Sequence, residues 1–477
     1  MEKYMGNKSK FCSIIYDEIN NYIELNGNVT MFDPFAGTTN VSRYFKSNGV
    51  NIICNDINDL TYALAKAYIE TSKLPTFSKL YKDIDFKKRI LSLKKTQIFV
   101  EKKSKLISEN HNTTSIEFLK KINGTRYLEI LVFLSYFCDS HDYQADFNFF
   151  QDNYCEGGKN SRYVNLVYKK TLEKIKAKYN DTKIGFLIDS FFEYPYDENI
   201  LIEIKNCLHE INDLQSFSCV NKIIQKGNVV GERMFFSVQH GKRLDHILNT
   251  IMHWLKNDLI TKNEYYVLLT SIIETVCIFS NTSATYQAFY KGYRANTLQS
   301  FRLIIPEIDE TRIKSKIYKE DAYSLIPKIN ADVIYLDPPY NWRQYDSNYH
   351  LLNTIARLYD IEDKELFFSE IVGASGENRI RKLQYTSFNK RSTFEETLLI
   401  PLSHSKCKIV ALSYSDSGSN HKRENIDSTL EIITNFFSNK EMFSDFKIIK
   451  VKSKNFESRK GNKKEEINEL LFIAKRK

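Results

Sequence analysis

Asp337-Pro338-Pro339-Tyr340 is the stretch of this sequence whose residue types specify chemistry most directly. It follows Val333-Ile334-Tyr335-Leu336, an apolar run that reads as a buried strand. The chain has 8 prolines in 477 residues, and two of them stand here side by side. Adjacent prolines remove two backbone donors and fix two φ angles, so the strand must stop. What remains is a rigid turn carrying a carboxylate, exposed carbonyls and one aromatic ring at a strand's carboxyl end. In an open α/β sheet, ligands bind along that edge. A carboxylate and a carbonyl together can accept both hydrogens of an exocyclic amino group. A tyrosine beside them can stack on a heterocycle. The set suits chemistry on the amino group of a nucleobase. The plain alternative is a strand followed by a polyproline turn with no chemistry.

A second candidate is Asp33-Pro34-Phe35-Ala36-Gly37-Thr38-Thr39, which follows a strand pattern and precedes a helix pattern. Small residues let the backbone approach a ligand closely, and a helix N-terminus supplies unbonded N–H groups. Asp56 ends the next strand pattern, 19 positions past Gly37. An acid at that spacing is placed to bind ribose hydroxyls. The loop lacks G-x-G-x-x-G, so a dinucleotide is disfavoured against a ligand without pyrophosphate. S-adenosylmethionine, an adenosine without phosphates, fits. An ordinary βαβ turn is the plain alternative.

These residues need elements to hold them. Residues 10–25 have helical apolar spacing, 29–32 read as a strand, 39–48 as a helix, 51–54 as a strand and 60–70 as a helix. That is one β-α-β unit with its loops. From about 75 to 300 the chain reads as mostly helical with long polar interruptions. Lysine pairs recur there, and those at 87–103 read as exposed helix faces. Glycine-rich basic stretches occur at 155–163 and 227–243. After 301 the alternation returns, with strands expected at 316–318, 333–336, 409–413, 446–451 and 469–474. The last two, joined by a basic polar loop, form an expected antiparallel hairpin. The class is α/β: about seven strands, split by a helical insert after the second strand. The expected boundaries are 1–72, 73–300 and 301–477.

Bulk properties exclude several classes. Lys and Arg number 68 against 59 Asp and Glu, a net charge of +9, which permits a nucleic-acid partner without requiring one. The 8 cysteines form no C-x-x-C pair, and the 9 histidines show no metal spacing. Free thiols in a reducing, cytoplasmic setting and no metal are expected. His350, on an expected helix near the active edge, reads as structural. No apolar run approaches ~18 residues, so no membrane span is expected.

Tyr4-Met5-Gly6-Asn7-Lys8, the 33–37 loop, Asp56, Glu320-Asp321-Ala322 and Asp337-Pro338-Pro339-Tyr340 together resemble, in kind and order, motifs of the DNA adenine-N6 methyltransferases. A long insert between cofactor loop and tetrapeptide resembles the alpha, or D12, class. The residues after the tetrapeptide, Asn341 to Tyr345 and Asn348 to Leu352, resemble modification enzymes of type IIS restriction systems. The resemblance implies a seven-stranded Rossmann-like methyltransferase sheet whose insert is a target-recognition domain. It implies S-adenosylmethionine as methyl donor and double-stranded DNA as substrate, in a bacterial or phage-type restriction–modification context with a cognate endonuclease as partner. By the same resemblance, Tyr4, Gly6 and Lys8 meet the methionine end of the cofactor. Asp33, Phe35 and Gly37 form its floor, Asp56 binds ribose and Asp321 binds the adenine amino group. Asp337 and the Pro338 carbonyl accept from the target N6, Pro339 stiffens the turn and Tyr340 stacks on the flipped base. Thr39 departs from the pattern, since a second glycine is common there.

Arg343, Arg379, Arg381, Lys382, Lys390 and Arg391 follow the tetrapeptide and are candidate phosphate contacts, with a solvated loop as the alternative. Three other readings stay open at this level. They are an RNA adenine methyltransferase, a DNA cytosine-N4 methyltransferase, and a DNA-binding subunit with an inactive methyltransferase fold.

Overall fold

The computed structural model describes residues 8–138, 147–155, 233–283, 285–290, 294–339, 345–372, 375–378, 394–415, 423–454 and 466–477. The chain divides into two compact units. One comprises Glu2–Leu74, Ile308–Asn348 and Leu383–Lys477; the other comprises Pro75–Glu307 and Tyr349–Lys382. Residues 349–382, grouped with the sheet by the sequence pattern, thus fall with the helices.

The first unit is built on a seven-stranded sheet. Its strands are β1 (Thr30–Asp33), β2 (Asn51–Asn55), β3 (Ser315–Tyr318), β4 (Val333–Leu336), β5 (Ile409–Ser415), β6 (Phe443–Lys454) and β7 (Glu466–Arg476). Their order across the sheet is β3-β2-β1-β4-β5-β7-β6. The first five run parallel, and β7 is antiparallel to both β5 and β6. Each strand expected from the sequence is present. β4 and β5 are buried along their whole length. That follows from their position, since central parallel strands are covered on both faces and so read as unbroken apolar runs.

Side chains alternate between two cores, as the two-residue strand period requires. Phe32, Ile334, Leu336, Val410 and Leu412 join one cluster with Leu398, Leu402, Ile433 and Phe437. Met31, Val333, Tyr335, Ile409 and Ala411 join the other with Ile15, Ile19, Val41 and Phe45. The helices beside the second cluster are α1 (Cys12–Asn20) and α2 (Asn40–Ser47), followed in the chain by α3 (Asp59–Ala65). α1 is shorter than its apolar spacing suggests. α3 runs into a π-helical turn over Lys66–Glu70. Fully buried Lys46 of α2 donates to the carbonyls of Tyr68 and Thr71, each at 2.7 Å, and so caps that turn. A cation at a helix C-terminus is favourable for the dipole as well as for the orphan carbonyls.

In the helical unit, helices Ile84–Lys94, Gln97–Asn110, Ile116–Ile122, Arg126–Tyr136, Val238–Lys256 and Lys262–Phe279 each begin at a Ser, Thr or Asp. In every case its side chain accepts from a backbone N–H in the first turn. Lys87, Lys88, Lys94 and Lys95 are exposed, as expected, whereas Lys102, over the Tyr136 ring, and Lys103 are half-buried. His350 is buried, with Nε2 2.8 Å from the Tyr286 carbonyl, a structural contact. The backbone of 303–305 is bonded by polar side chains of three helices. Ser135 accepts from Leu303 at 3.1 Å, Thr275 from Ile304 at 2.9 Å and Asn110 from Ile305 at 3.0 Å. Among the described residues, no helix is long and apolar enough to cross a membrane.

One backbone feature concerns the loop after β1. Thr39, directly before α2, has φ 63° and is fully buried. Left-handed backbone is unfavourable for a β-branched residue, typically by about 1–3 kcal/mol. A glycine at this position, which the resemblance implies, would carry no such cost. Thr39→Gly should be more stable than Thr39→Ala by about 1 kcal/mol, the reverse of the usual order, because only alanine keeps the Cβ strain. Urea unfolding of the two variants measures this. An alanine variant equal to or more stable than the glycine one contradicts the strain.

Candidate active site

The chain runs from β1 outward to β2 and β3, then returns to place β4 on the other side of β1. The carboxyl ends of β1 and β4 therefore flank the switch point of the sheet, the place where open α/β sheets generally bind ligands. Asp33 ends β1 and Asp337 follows β4 directly.

Asp33 is 1% exposed. Its Oδ2 accepts from Ser42 Oγ at 2.7 Å and its Oδ1 from the Phe35 N–H at 3.3 Å. Burial pushes its carboxyl up to about 7, against the Ser42 bond, and the charges of Asp337 and Asp56 push the same way as burial. Asp33 thus pins the start of α2 and the cofactor-type loop to the end of β1.

Two residues ending β2 organise the same loop. Asp56 Oδ2 accepts from the Gly37 N–H at 3.0 Å, and Oδ1 accepts from the Asn58 backbone N–H at 3.0 Å and from Asn58 Nδ2 at 3.1 Å. Gly37 has φ 50°, a conformation suited to glycine. Burial raises the Asp56 carboxyl, and the Asn58 and Gly37 bonds oppose this. Asn55, 1% exposed, donates to the carbonyls of Pro34 at 3.1 Å and Glu320 at 3.0 Å, and accepts from the Glu320 N–H at 2.9 Å. One amide side chain so ties the loops after β1 and β3 to β2. Asp321, next to Glu320, is exposed and accepts from the Tyr323 N–H at 3.3 Å. Phe35 packs on the sheet core.

At β4 the turn is led by Asp337, with Pro338 buried and Pro339 half-buried. Lys8 reaches it from the N-terminal segment, Nζ to Oδ1 at 3.3 Å. The same Nζ lies 2.8 Å from Glu469 Oε2 on β7. Lys8 is held in place by its own carbonyl, which accepts from the Phe11 N–H at 2.7 Å and from Cys12 Sγ at 3.3 Å. Burial pushes the Asp337 carboxyl up to about 6; Lys8 pulls it down and Glu469 pushes it up. The Oδ1 of Asp337 has no well-aligned hydrogen bond: Lys8, 3.3 Å away, acts on it mainly by charge, with a long and poorly directed bond adding to the pull. Tyr335, two residues earlier, is buried with its hydroxyl 2.9 Å from Ser413 Oγ.

The sheet unit thus gathers Lys8, Asp33, Gly37, Asp56 and Asp337 around one sheet edge, with Asp321 joined to it through Glu320 and Asn55. Tyr4, Gly6, Tyr340, Arg343, Arg379, Arg381, Lys382, Lys390 and Arg391 lie outside the described residues. Sequence reasoning missed Ser42, Asn55 and Glu469. Glu469 carried one signal: it is an acid at the start of an expected strand, beside the loop of a closing hairpin.

A profile of the D12 class N6 adenine-specific DNA methyltransferases matches residues 4–207 and 211–372. The chain belongs to this family. Several bacterial methyltransferases are similar to parts of it. Modification methylase StsI of Streptococcus sanguinis is 32% identical over 252 residues, covering 52% of this chain and 35% of that protein. Type II methyltransferase M.FokI of Planomicrobium okeanokoites is 43% identical over 145 residues, covering 30% and 21%. Type II methyltransferase M.NlaIII of Neisseria lactamica is 40% identical over 129 residues, covering 27% and 38%. The matches therefore span only about a fifth to two fifths of these relatives' own length.

In this D12 chain, the raised Asp33 carboxyl makes stability depend on pH. A carboxyl whose folded value of about 7 exceeds its ordinary 3.8 favours the folded state fully below the ordinary value, and that contribution is lost as pH rises through about 7. Asp33→Asn, whose amide can still bond Ser42 and Phe35, removes the dependence. Its stability relative to wild type should rise by about 2 kcal/mol from pH 5 to pH 8 in urea unfolding. A pH-independent difference would mean that Asp33 titrates normally.

Proposed function

We propose that this chain transfers a methyl group from S-adenosylmethionine to N6 of a flipped adenine in double-stranded DNA, as the modification enzyme of a restriction–modification system in the cytoplasm. The observation that carries the reading is the buried Asp337 Oδ1, which is attracted by Lys8 at 3.3 Å but has no well-aligned hydrogen bond. A buried carboxylate oxygen without a well-aligned bond at the sheet's switch point is an acceptor left over for a ligand's donor.

The N6 lone pair is delocalised into the adenine ring and is a poor nucleophile. Asp337 and the Pro338 carbonyl accept its two hydrogens, which draws the nitrogen toward a tetrahedral shape and frees the lone pair. Asp337 must be ionised to do so. S-adenosylmethionine supplies a methyl group already activated by its sulfonium. The chain's task is then alignment, which can lower a barrier by about 7–11 kcal/mol. Tyr340 stacks on the extruded base, and such stacking offsets about 1–3 kcal/mol of the unstacking cost. The loop at Ala36-Gly37, bent by positive φ and fixed by Asp56, fits close approach of the donor's adenosine end. Lys8, Asp33 and Phe35 belong to the same binding surface, and Asp321 meets the adenine of the donor.

The helical unit has the target-recognition role in this reading, since reading a duplex needs an element that reaches base edges. Arg343, Arg379, Arg381, Lys382, Lys390 and Arg391 contribute phosphate contacts. A cognate endonuclease is the expected partner.

Expression in a host without adenine methylation, followed by sequencing that reads N6-methyladenine, should reveal one enriched motif. Asp337→Ala should lower transfer at least about 100-fold while S-adenosylmethionine still binds. Near-normal turnover in that variant would remove Asp337 from the chemistry. Wild-type protein that binds the donor but methylates no DNA would favour a binding-only role.

A further inference from the structure

Glu469 has no part in the reaction as described above, yet it makes the closer of the two ion pairs of Lys8. It lies on β7 opposite Ser415 of β5 and Val451 of β6. Its side chain is 13% exposed and that of Lys8 is 5% exposed. The Lys8 ammonium stands 2.8 Å from Glu469 and 3.3 Å from Asp337. One cation thus serves two carboxylates unequally: the short, well-aligned bond goes to Glu469, outside the reaction, and the longer, poorly aligned one to Asp337.

The inequality has a chemical use. An unpaired Asp337, with its side chain 15% exposed and its Oδ1 buried, would favour the protonated form and lose its capacity to accept. An Asp337 fully hydrogen-bonded to Lys8 would be ionised, but the lysine would compete with the target amino group for its lone pairs. A lysine held slightly away supplies the charge and leaves the lone pair. We propose that Glu469 is a positioning residue for methyl transfer: it anchors the Lys8 ammonium so that Lys8 keeps Asp337 ionised without taking the oxygen that the adenine amino group needs. The inference rests on the reading of Asp337 as acceptor of that amino group.

Among the described residues, the other titratable groups acting on this part of the edge are Asp33, Asp56 and Tyr335. Asp33 on β1 repels it, with Asp56 behind Asp33. Tyr335 on β4 is held neutral, because burial raises its hydroxyl well above the ordinary range. Glu469 itself raises the Asp337 carboxyl, so its charge and its anchoring act in opposite directions on Asp337. A substitution that removes the charge but keeps the acceptor separates them.

Glu469→Gln retains an oxygen for Lys8 and loses the negative charge. The Asp337 carboxyl should then titrate at least about half a pH unit lower than in wild type. Asp337 is followed by carboxyl 13C NMR on aspartate-labelled protein, its signal assigned by absence in Asp337→Asn. The acid limb of kcat on methylatable DNA should move down with it, with KM for S-adenosylmethionine within about twofold of wild type. Glu469→Ala, which removes the anchor, should lower kcat about tenfold or more at pH 8 with little change in KM, and the Asp337 titration should fall further as Lys8 closes on it. An unmoved or raised Asp337 titration in the folded Gln variant overturns the proposal. So does an alanine variant with normal kcat. Should the alanine variant fail to fold, Glu469→Asp, which keeps the charge but withdraws the anchor by one methylene, decides: a normal kcat in that variant overturns the proposal. Wild-type protein that transfers no methyl group to any DNA overturns the functional reading instead, a failure separate from any result of the titration.

Discussion

The Lys8 ammonium is the interaction on which the sheet edge depends. Parallel strands all end in the same direction, so the acids that close β1, β2 and β4 are brought to one edge by topology alone. Asp33 and Asp337 are pushed upward by burial before any partner is counted. A buried carboxylate without compensation is costly and tends to take up a proton instead. Lys8, carried in from outside the sheet, supplies positive charge between Asp337 and Glu469. β7 takes part because it enters the sheet antiparallel, which brings its first residues, not its last, to the carboxyl edge.

The rest of the edge is arranged by polar side chains that bond to backbone. Asn55 ties two loops to β2, Asp56 holds Gly37, and Ser42 holds Asp33. Thr39 keeps a left-handed backbone where a residue without Cβ would sit more easily. Such local conflicts are tolerated where the surroundings over-determine the geometry, and they gather at functional sites. The loop after β1 is fixed from three sides, which suits a surface that must meet a ligand in one conformation.

Much of this was legible in the residues. Central strands such as β4 and β5 read clearly because both faces are buried and every position is apolar. Asp337 was legible because two prolines leave a strand no way to continue. Glu469 was not, because its role exists only once β7 is known to run beside β5. Asn55 and Ser42 escaped notice for a similar reason: a single polar residue at a strand or helix end has many possible partners. In the helical unit, Asn110, Ser135 and Thr275 look like ordinary helix residues, and only the extended backbone of 303–305 explains their burial. Periodicity reports which faces are apolar. It carries no information on which buried polar groups will satisfy one another.

The central claim is that Lys8 compensates a largely buried Asp337, and a double-mutant cycle on folding stability tests it most directly. Urea unfolding at pH 8 would compare wild type, Lys8→Met, Asp337→Asn and the pair. Lys8→Met alone leaves Asp337 and Glu469 uncompensated and should cost about 3–5 kcal/mol. Adding Asp337→Asn to Lys8→Met should restore part of that loss, so that the double variant is more stable than Lys8→Met. Losses that simply add would contradict the account and leave Lys8 and Asp337 as independent neighbours.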